Sequence, residues 1–321
     1  MLSRSLSLVF CPMVLATTLL ARRAEATPVT LGPLTPIYQG VNYETATVGG
    51  SQAYAVSVDL TAPGIGLTTT PPGGTLETVG QTTSQFLTSS GTQVAINANF
   101  FAPCCRAAAE PKSLLGLAVS NGTIVSPYAA GENNSVLLLT KTDQAIITTI
   151  TGPQPGVFNA VSGSSIIVQG GRDIAPPAGN DAFIGPNPRT DVGVSRDGRY
   201  LYLAAIDGRQ PGYSVGATLQ DAADLLIGLG AYTALNLDGG GSTALVQSDG
   251  LGGALLLNHP SGNHERYDGN NLGVFALPLA VAVPEPGSLA LLMMGVVSLV
   301  IGSRRRPRRS VQRWFRIKRN V

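Results

Sequence analysis

The stretch between Tyr200 and Val246 limits the folds open to this chain more than any other. It holds a strand-like run, YLYLAAI, closed by Asp207, then an amphipathic helix pattern, then a second strand-like run, TALNL, closed by Asp238. The helix is predicted over Leu219–Leu229, because Ala222, Leu225, Leu226 and Leu229 follow helical spacing, Thr218 with Asp221 resembles a capping box, and Gly230 supplies the stop. Strand, helix, strand in that order is the unit that produces parallel strands. Parallel strands end on the same edge, so Asp207 and Asp238 are expected side by side there, where ligands of such sheets commonly bind. The segment VAINANFF would add Asn97 and Asn99 to that rim if its strand is parallel to these.

The rest of the body reads as short β-branched or alternating runs divided by Gly, Pro and Asn: residues 53–60, 94–98, 135–139, 146–150 and 165–168. A second helix is predicted over residues 77–88. The expected fold class is therefore α+β: a mixed β-sheet core with few helices, including one β-α-β crossover that ends in the DGR and LDGGGS loops. With 44% hydrophobic and 12% charged residues, the chain can bury a sizeable core. No repeat or low-complexity linker divides it, so residues 27–283 are expected to form a single domain. That body carries nine basic and seventeen acidic side chains, while nine further basic residues crowd the chain after position 303. An acidic body excludes a nucleic-acid partner, and the sequence pI of about 8.5 belongs to the tail.

Both ends read as addresses. Residues 1–26 combine Arg4, an apolar stretch and Ala24-Glu25-Ala26, the pattern of a signal peptide cleaved before Thr27. Near the other end, Pro284-Glu285-Pro286 precedes an apolar run from Leu289 to Ile301 and then an arginine cluster. That run is shorter than the roughly 20 residues that span a bilayer comfortably. Residues 284–309 resemble the PEP-CTERM sorting signal of exopolysaccharide-producing Gram-negative bacteria, followed by a basic tail, 310–321. The resemblance implies export across the inner membrane, a transient transmembrane anchor, signal peptidase and a sorting protease as partners, and a periplasmic, outer-surface or secreted destination.

The chemistry gathers in the crossover. Gly239, Gly240 and Gly241 let a ligand or another backbone come close and let successive N–H groups point at an anion, with Ser242 and Thr243 adding hydroxyl donors. No Lys follows the glycines, so the loop is not a P-loop. Arg189, Asp207, Arg209 and Asp238 fall within about fifty residues. The plainer alternative is a tight turn whose aspartates cap the backbone and whose Arg189 pairs with one of them. The segments AINANFF, NPRTDVGVSRDGR, LYLAAIDGRQ, LNLDGGGSTALV and HERYDGNNLGVFALP together resemble the phosphodiester glycosidase family. The resemblance covers most of residues 50–278 and departs from the family pattern at APCCRAAAEP.

This resemblance implies hydrolysis of the glycosidic bond of a sugar 1-phosphodiester, with a sugar-phosphate or glycan substrate in exopolysaccharide or envelope metabolism. It carries Asn97, Arg189, Thr190, Asp207, Arg209, Asp238, Gly239, Gly240, Gly241, Ser242 and Asn270 over as motif residues. Asp238 then takes the nucleophile or base role, Asp207 a supporting or acid role and Arg189 the phosphate clamp, with Asn97, Thr190, Arg209, the glycines, Ser242 and Asn270 binding substrate. The alternative function is a non-catalytic carbohydrate-binding module. The aspartates, asparagines and backbone carbonyls also make a hard-oxygen set suited to Ca²⁺ or Mg²⁺, without EF-hand spacing. His259 and His264, near Glu265, are zinc or acid/base candidates, or surface-loop residues. Cys104 and Cys105 allow a vicinal disulfide, a metal contact or no role.

Overall fold

A computed structural model of the chain describes residues 26–104, 107–177, 179 and 183–280. The leader, the sorting segment and the basic tail expected from the sequence lie outside these residues, apart from Ala26. Among the described residues no helix is long and apolar enough to cross a membrane.

Among the described residues two α-helices and many short strands make an α+β fold. Every strand pairing is antiparallel within a nine-stranded sheet and two five-stranded sheets. At the centre of the large sheet, the strands Ser51–Asp59, Tyr200–Ile206, Arg189–Val194 and Thr233–Asn236 lie in that order. Alternation along them sorts side chains to two faces. Val56, Val192, Leu203 and Leu235 point into the main core, which they share with Ile96, Leu245 and Leu272 of one smaller sheet and Leu137 and Val161 of the other. Ala204, Ile206 and Ala234 point the opposite way, under a helix.

That helix is α2, Leu219–Leu229. Its residues fit for a reason visible in the chain: Thr218 and Asp221 close a capping box at one end, and Gly230 turns left-handed at the other with φ 106°. Leu219, Leu225 and Leu226 are fully buried, each contributing roughly 1.5–3 kcal/mol. Gly193 permits this packing, since a Cβ there would stand 2.7 Å from Ala231 Cβ and 2.8 Å from Leu226 Cδ1. The other helix, α1, covers Thr83–Ser90 and not the expected 77–88. Glu77 N donates to Lys112 O at 3.0 Å and Thr78–Val79 pair as a strand with Pro111 and Lys112, so helix can start only at the Thr82–Gln85 capping box.

The crossover also differs from expectation. Tyr200–Ile206 and Thr233–Asn236 do run parallel, but each pairs antiparallel with Arg189–Val194, which lies between them. Their ends share an edge while standing two strand spacings, about 10 Å, apart. Val94–Asn97 belongs to a different sheet, between Leu245–Ser248 and Asn271–Phe275, and is antiparallel to both.

Candidate active site

Several of the predicted residues gather at the shared edge of the large sheet. Arg189 starts its strand opposite Ile206, and Asp191 stands opposite Asn236. The chain leaving Asn236 is stitched down at once: Leu237 N donates to Thr190 O at 2.8 Å, Asp238 N to Ala98 O at 2.9 Å and Gly240 N to Pro188 O at 2.9 Å. A cavity of about 170 Å³ opens there, lined by Phe100, Phe183, Asn187, Arg189, Arg209, Asn236, Leu237, Asp238, Gly239, Gly240 and Arg266. Its wall therefore carries three guanidinium groups and one carboxyl.

Each cation is held differently. Arg189 is 4% exposed; its Nε donates to Ala217 O at 2.9 Å and its Nη2 to Gly185 O at 2.7 Å. Two carbonyls thus fix the guanidinium, and no carboxylate pairs with it among the described ion pairs. Arg209, with φ 59°, donates through Nε and Nη2 to Asn187 Oδ1 at 3.2 and 2.9 Å. Arg266 lies against Gly241, where a Cβ would fall 2.2 Å from its Cζ. The glycine at 241 is what lets a cation sit over the loop.

Asp238 is partly buried. Burial pushes its carboxyl up to about 7, against the opposing pull of the Ser242 hydroxyl, Arg266 and the Gly239 N–H. A second carboxyl stands behind it. Asp268 is 1% exposed, and neither of its oxygens makes a well-formed hydrogen bond. Burial first and the charge of Asp238 second push it well above the usual carboxylate range, and Ser242 faces both acids. Neither Asp268 nor Arg266 stands out by type or spacing; the signal that points to them is their place in the segment HERYDGNNLGVFALP, which resembles the phosphodiester glycosidase family.

Other predicted residues are spent inside the protein. Asn97 Nδ2 donates to Asp238 O at 2.6 Å, while its Oδ1 accepts from Thr190 Oγ1 at 2.8 Å and Ala244 N at 3.1 Å. Asn97 and Thr190 thus clamp the smaller sheet to the edge of the large one. Asn270 Nδ2 donates to Asn99 Oδ1 at 2.8 Å, and its Oδ1 accepts from Asn271 N at 3.0 Å. Asp207 does not line the cavity. Its oxygens accept from Asn258 Nδ2 at 2.9 Å, the backbone N of His259 at 3.0 and 3.1 Å, and Tyr213 OH at 3.2 Å. Strand spacing explains the divergence: with Arg189–Val194 between them, the two crossover acids reach different surroundings.

The histidines do not converge either. His259 Nδ1 meets Tyr213 OH at 2.6 Å, and His264 Nδ1 lies 2.7 Å from Gly262 O. Among the described residues no group of three or more His, Cys, Asp or Glu side chains is placed to hold a metal ion. The oxygen set expected from Asp207 and Asp238 is divided between two places. Cys104 is disulfide-bonded, and its Sγ lies 4.0 Å from Arg266 Nη1. The buried Lys112 donates through Nζ to Pro103 O at 2.9 Å and Glu110 Oε2 at 2.6 Å.

Residues 90–275, more than half of the chain, match the family described as phosphodiester glycosidase. The chain belongs to the phosphodiester glycosidase family. Residues 282–306 match the PEP-CTERM protein-sorting motif, which marks export and surface sorting in Gram-negative bacteria. No curated protein matches the chain. Among solved structures, a hypothetical protein from Synechocystis superposes with a TM-score of 0.58 at 19% identity, over 79% of this chain and 65% of that one. The present chain thus spans just under two thirds of that protein. The catalytic domain of zebrafish N-acetylglucosamine-1-phosphodiester alpha-N-acetylglucosaminidase, auto-inhibited by its pro-peptide, gives 0.55 at 17% identity, over 78% of this chain and 88% of that one. A putative exported protein from Burkholderia pseudomallei gives 0.50 at 18% identity, over 74% of each chain. At 17–19% identity these likenesses concern the fold alone.

Proposed function

We propose that this cavity hydrolyses the sugar–phosphate bond of a sugar 1-phosphodiester, freeing the sugar and leaving a phosphomonoester, on a glycan of the cell envelope or exopolysaccharide. The observation that carries the reading is three guanidiniums around a single lining carboxyl, Asp238, whose titration sits at about 7. Breaking such a bond builds positive charge on the anomeric carbon and leaves negative charge on phosphate. Arg189, already fixed by the carbonyls of Gly185 and Ala217, meets the phosphate with little freedom left to lose. Arg209 and Arg266 take further phosphate oxygens.

Asp238 in its ionised form stands at the anomeric carbon as nucleophile or general base. Phosphate departs as an anion and needs no strong acid behind it. Asp268, whose carboxyl is pushed well above the usual carboxylate range by burial and by the charge of Asp238, stands behind Asp238 and shares Ser242 with it, so the pair favours one negative charge over two beside the phosphate. Asp207 acts at a distance, by fixing the loop at Asn258 and His259.

The test is incubation of the exported protein with UDP-N-acetylglucosamine or an aryl phosphodiester of a sugar, following free sugar. Release should rise about tenfold between pH 6 and pH 8 as Asp238 ionises, and fall by about 10²–10⁴-fold in Asp238→Asn. Absence of release across several sugars, with glycan binding retained, would instead identify a carbohydrate-binding module.

A further inference from the structure

The first described residues meet the first turns of α2. Thr27 N donates to Asp224 Oδ2 at 2.6 Å, and Thr27 Oγ1 donates to Asp221 Oδ1 at 2.7 Å. Next along the chain, Gly49 N donates to Pro28 O at 3.4 Å, and Val29–Leu31 joins the edge of the large sheet. Thr27 is also the residue that the sequence places first after cleavage of the leader. We propose that cleavage between Ala26 and Thr27 creates a folding contact: the freed α-ammonium of Thr27 becomes the ionic partner of Asp224 and Asp221 and locks the first strand onto α2.

The charges around this point favour such a partner. Asp221 and Asp224 face Thr27 from α2, and Asp173 adds a third acid close enough for the charge of Asp224 to act on it. The positive group that feels Asp221 is Arg189, whose Nε and Nη2 already serve Ala217 and Gly185. Among the described ion pairs none engages Asp221 or Asp224. Before cleavage, position 27 offers one neutral N–H to this acidic corner. After cleavage, hydrolysis of the peptide bond leaves an ammonium with three donors and a full charge, and the hydrogen bond to Asp224 becomes charge-assisted. Asp221 links the contact to the helix cap, since its Oδ2 accepts from Thr218 N and Oγ1, both at 2.8 Å.

The sign of the pH dependence follows. Two carboxylates raise the folded-state pKa of the amine above its ordinary value of about 8. The stabilisation is complete below that value and is lost as pH rises through the raised one.

The experiment uses the exported full chain, its first residue read by N-terminal sequencing. The comparison is a variant with two glutamines inserted between Ala26 and Thr27, its first residue also read by sequencing, so that cleavage after Ala26 leaves the amine two residues away from Asp224. The native chain should begin at Thr27 and melt about 2–4 °C above the insertion variant near pH 6.5, with the gap closing by about pH 10. Asp224→Asn in both chains should erase most of it. A different first residue, equal melting at every pH, or a gap that survives at pH 10 or in Asp224→Asn overturns the proposal. None of these readouts depends on the activity proposed above.

Discussion

Replacing Asp191 by Asn should stabilise the protein, and do so more at higher pH. Asp191 is 0% exposed, faces Asn236 across the strand pair, and has no hydrogen-bond partner for either carboxylate oxygen. The Asn236 Oδ1 atom is likewise buried and unpartnered. Burial pushes the Asp191 carboxyl up to about 7, only partly offset by Arg189. An unfolded Asp titrates near 3.9, so the folded state holds a proton that the unfolded chain releases; over about three pH units this costs roughly 4 kcal/mol. The cost is absent below about pH 4, grows through pH 5 and 6, and is complete above about pH 7. Asn keeps the shape and carries no charge, so Asp191→Asn should escape the whole of it. For a body of this size that corresponds to a melting point higher by around 10 °C at pH 8, shrinking towards zero at pH 4. Thermal unfolding of both proteins across pH 4–8 measures it. A gap that does not change with pH, or wild type melting higher at pH 8, would refute the reasoning.

Two further substitutions separate support from chemistry. Asp207→Asn keeps the shape but weakens the ties to Asn258, His259 and Tyr213; stability should fall by about 1–3 kcal/mol, while sugar release by the folded fraction changes far less than in Asp238→Asn, as chemical denaturation and initial rates will show. Gly241→Ala drives a methyl into the Arg266 guanidinium, so KM for a phosphodiester should rise several-fold with kcat less affected, as steady-state kinetics would reveal.

Much of the scaffold was legible because it is local. The capping box of Thr218 and Asp221, the stop at Gly230 and the strand Tyr200–Ile206 each depend on neighbours a few residues away. The helix predicted over 77–88 began too early because Glu77 and Thr78 are claimed by Lys112, more than thirty residues further on, and no local pattern records that pairing. The site divides in the same way. Arg189, Arg209, Asp238, Gly239 and Gly240 line one cavity together; the last four come from the crossover that the sequence marked, and Arg189 from the strand that lies between its two arms. Arg266 and Asp268 join from a distant loop, and Asp207, marked just as clearly, turns to a different set of partners.

The sequence alone determined the family, the sorting motif and the ends of the crossover strands, because motif residues, caps and apolar spacing are written in consecutive positions. Sheet order was decided only by the fold. Inserting Arg189–Val194 between the two parallel strands separates Asp207 from Asp238 by two strand spacings, and the packing of the smaller sheet brings Asp268 up in its place. Which carboxyl meets which guanidinium depends on distances through the core, and those follow from strand pairing across the whole chain.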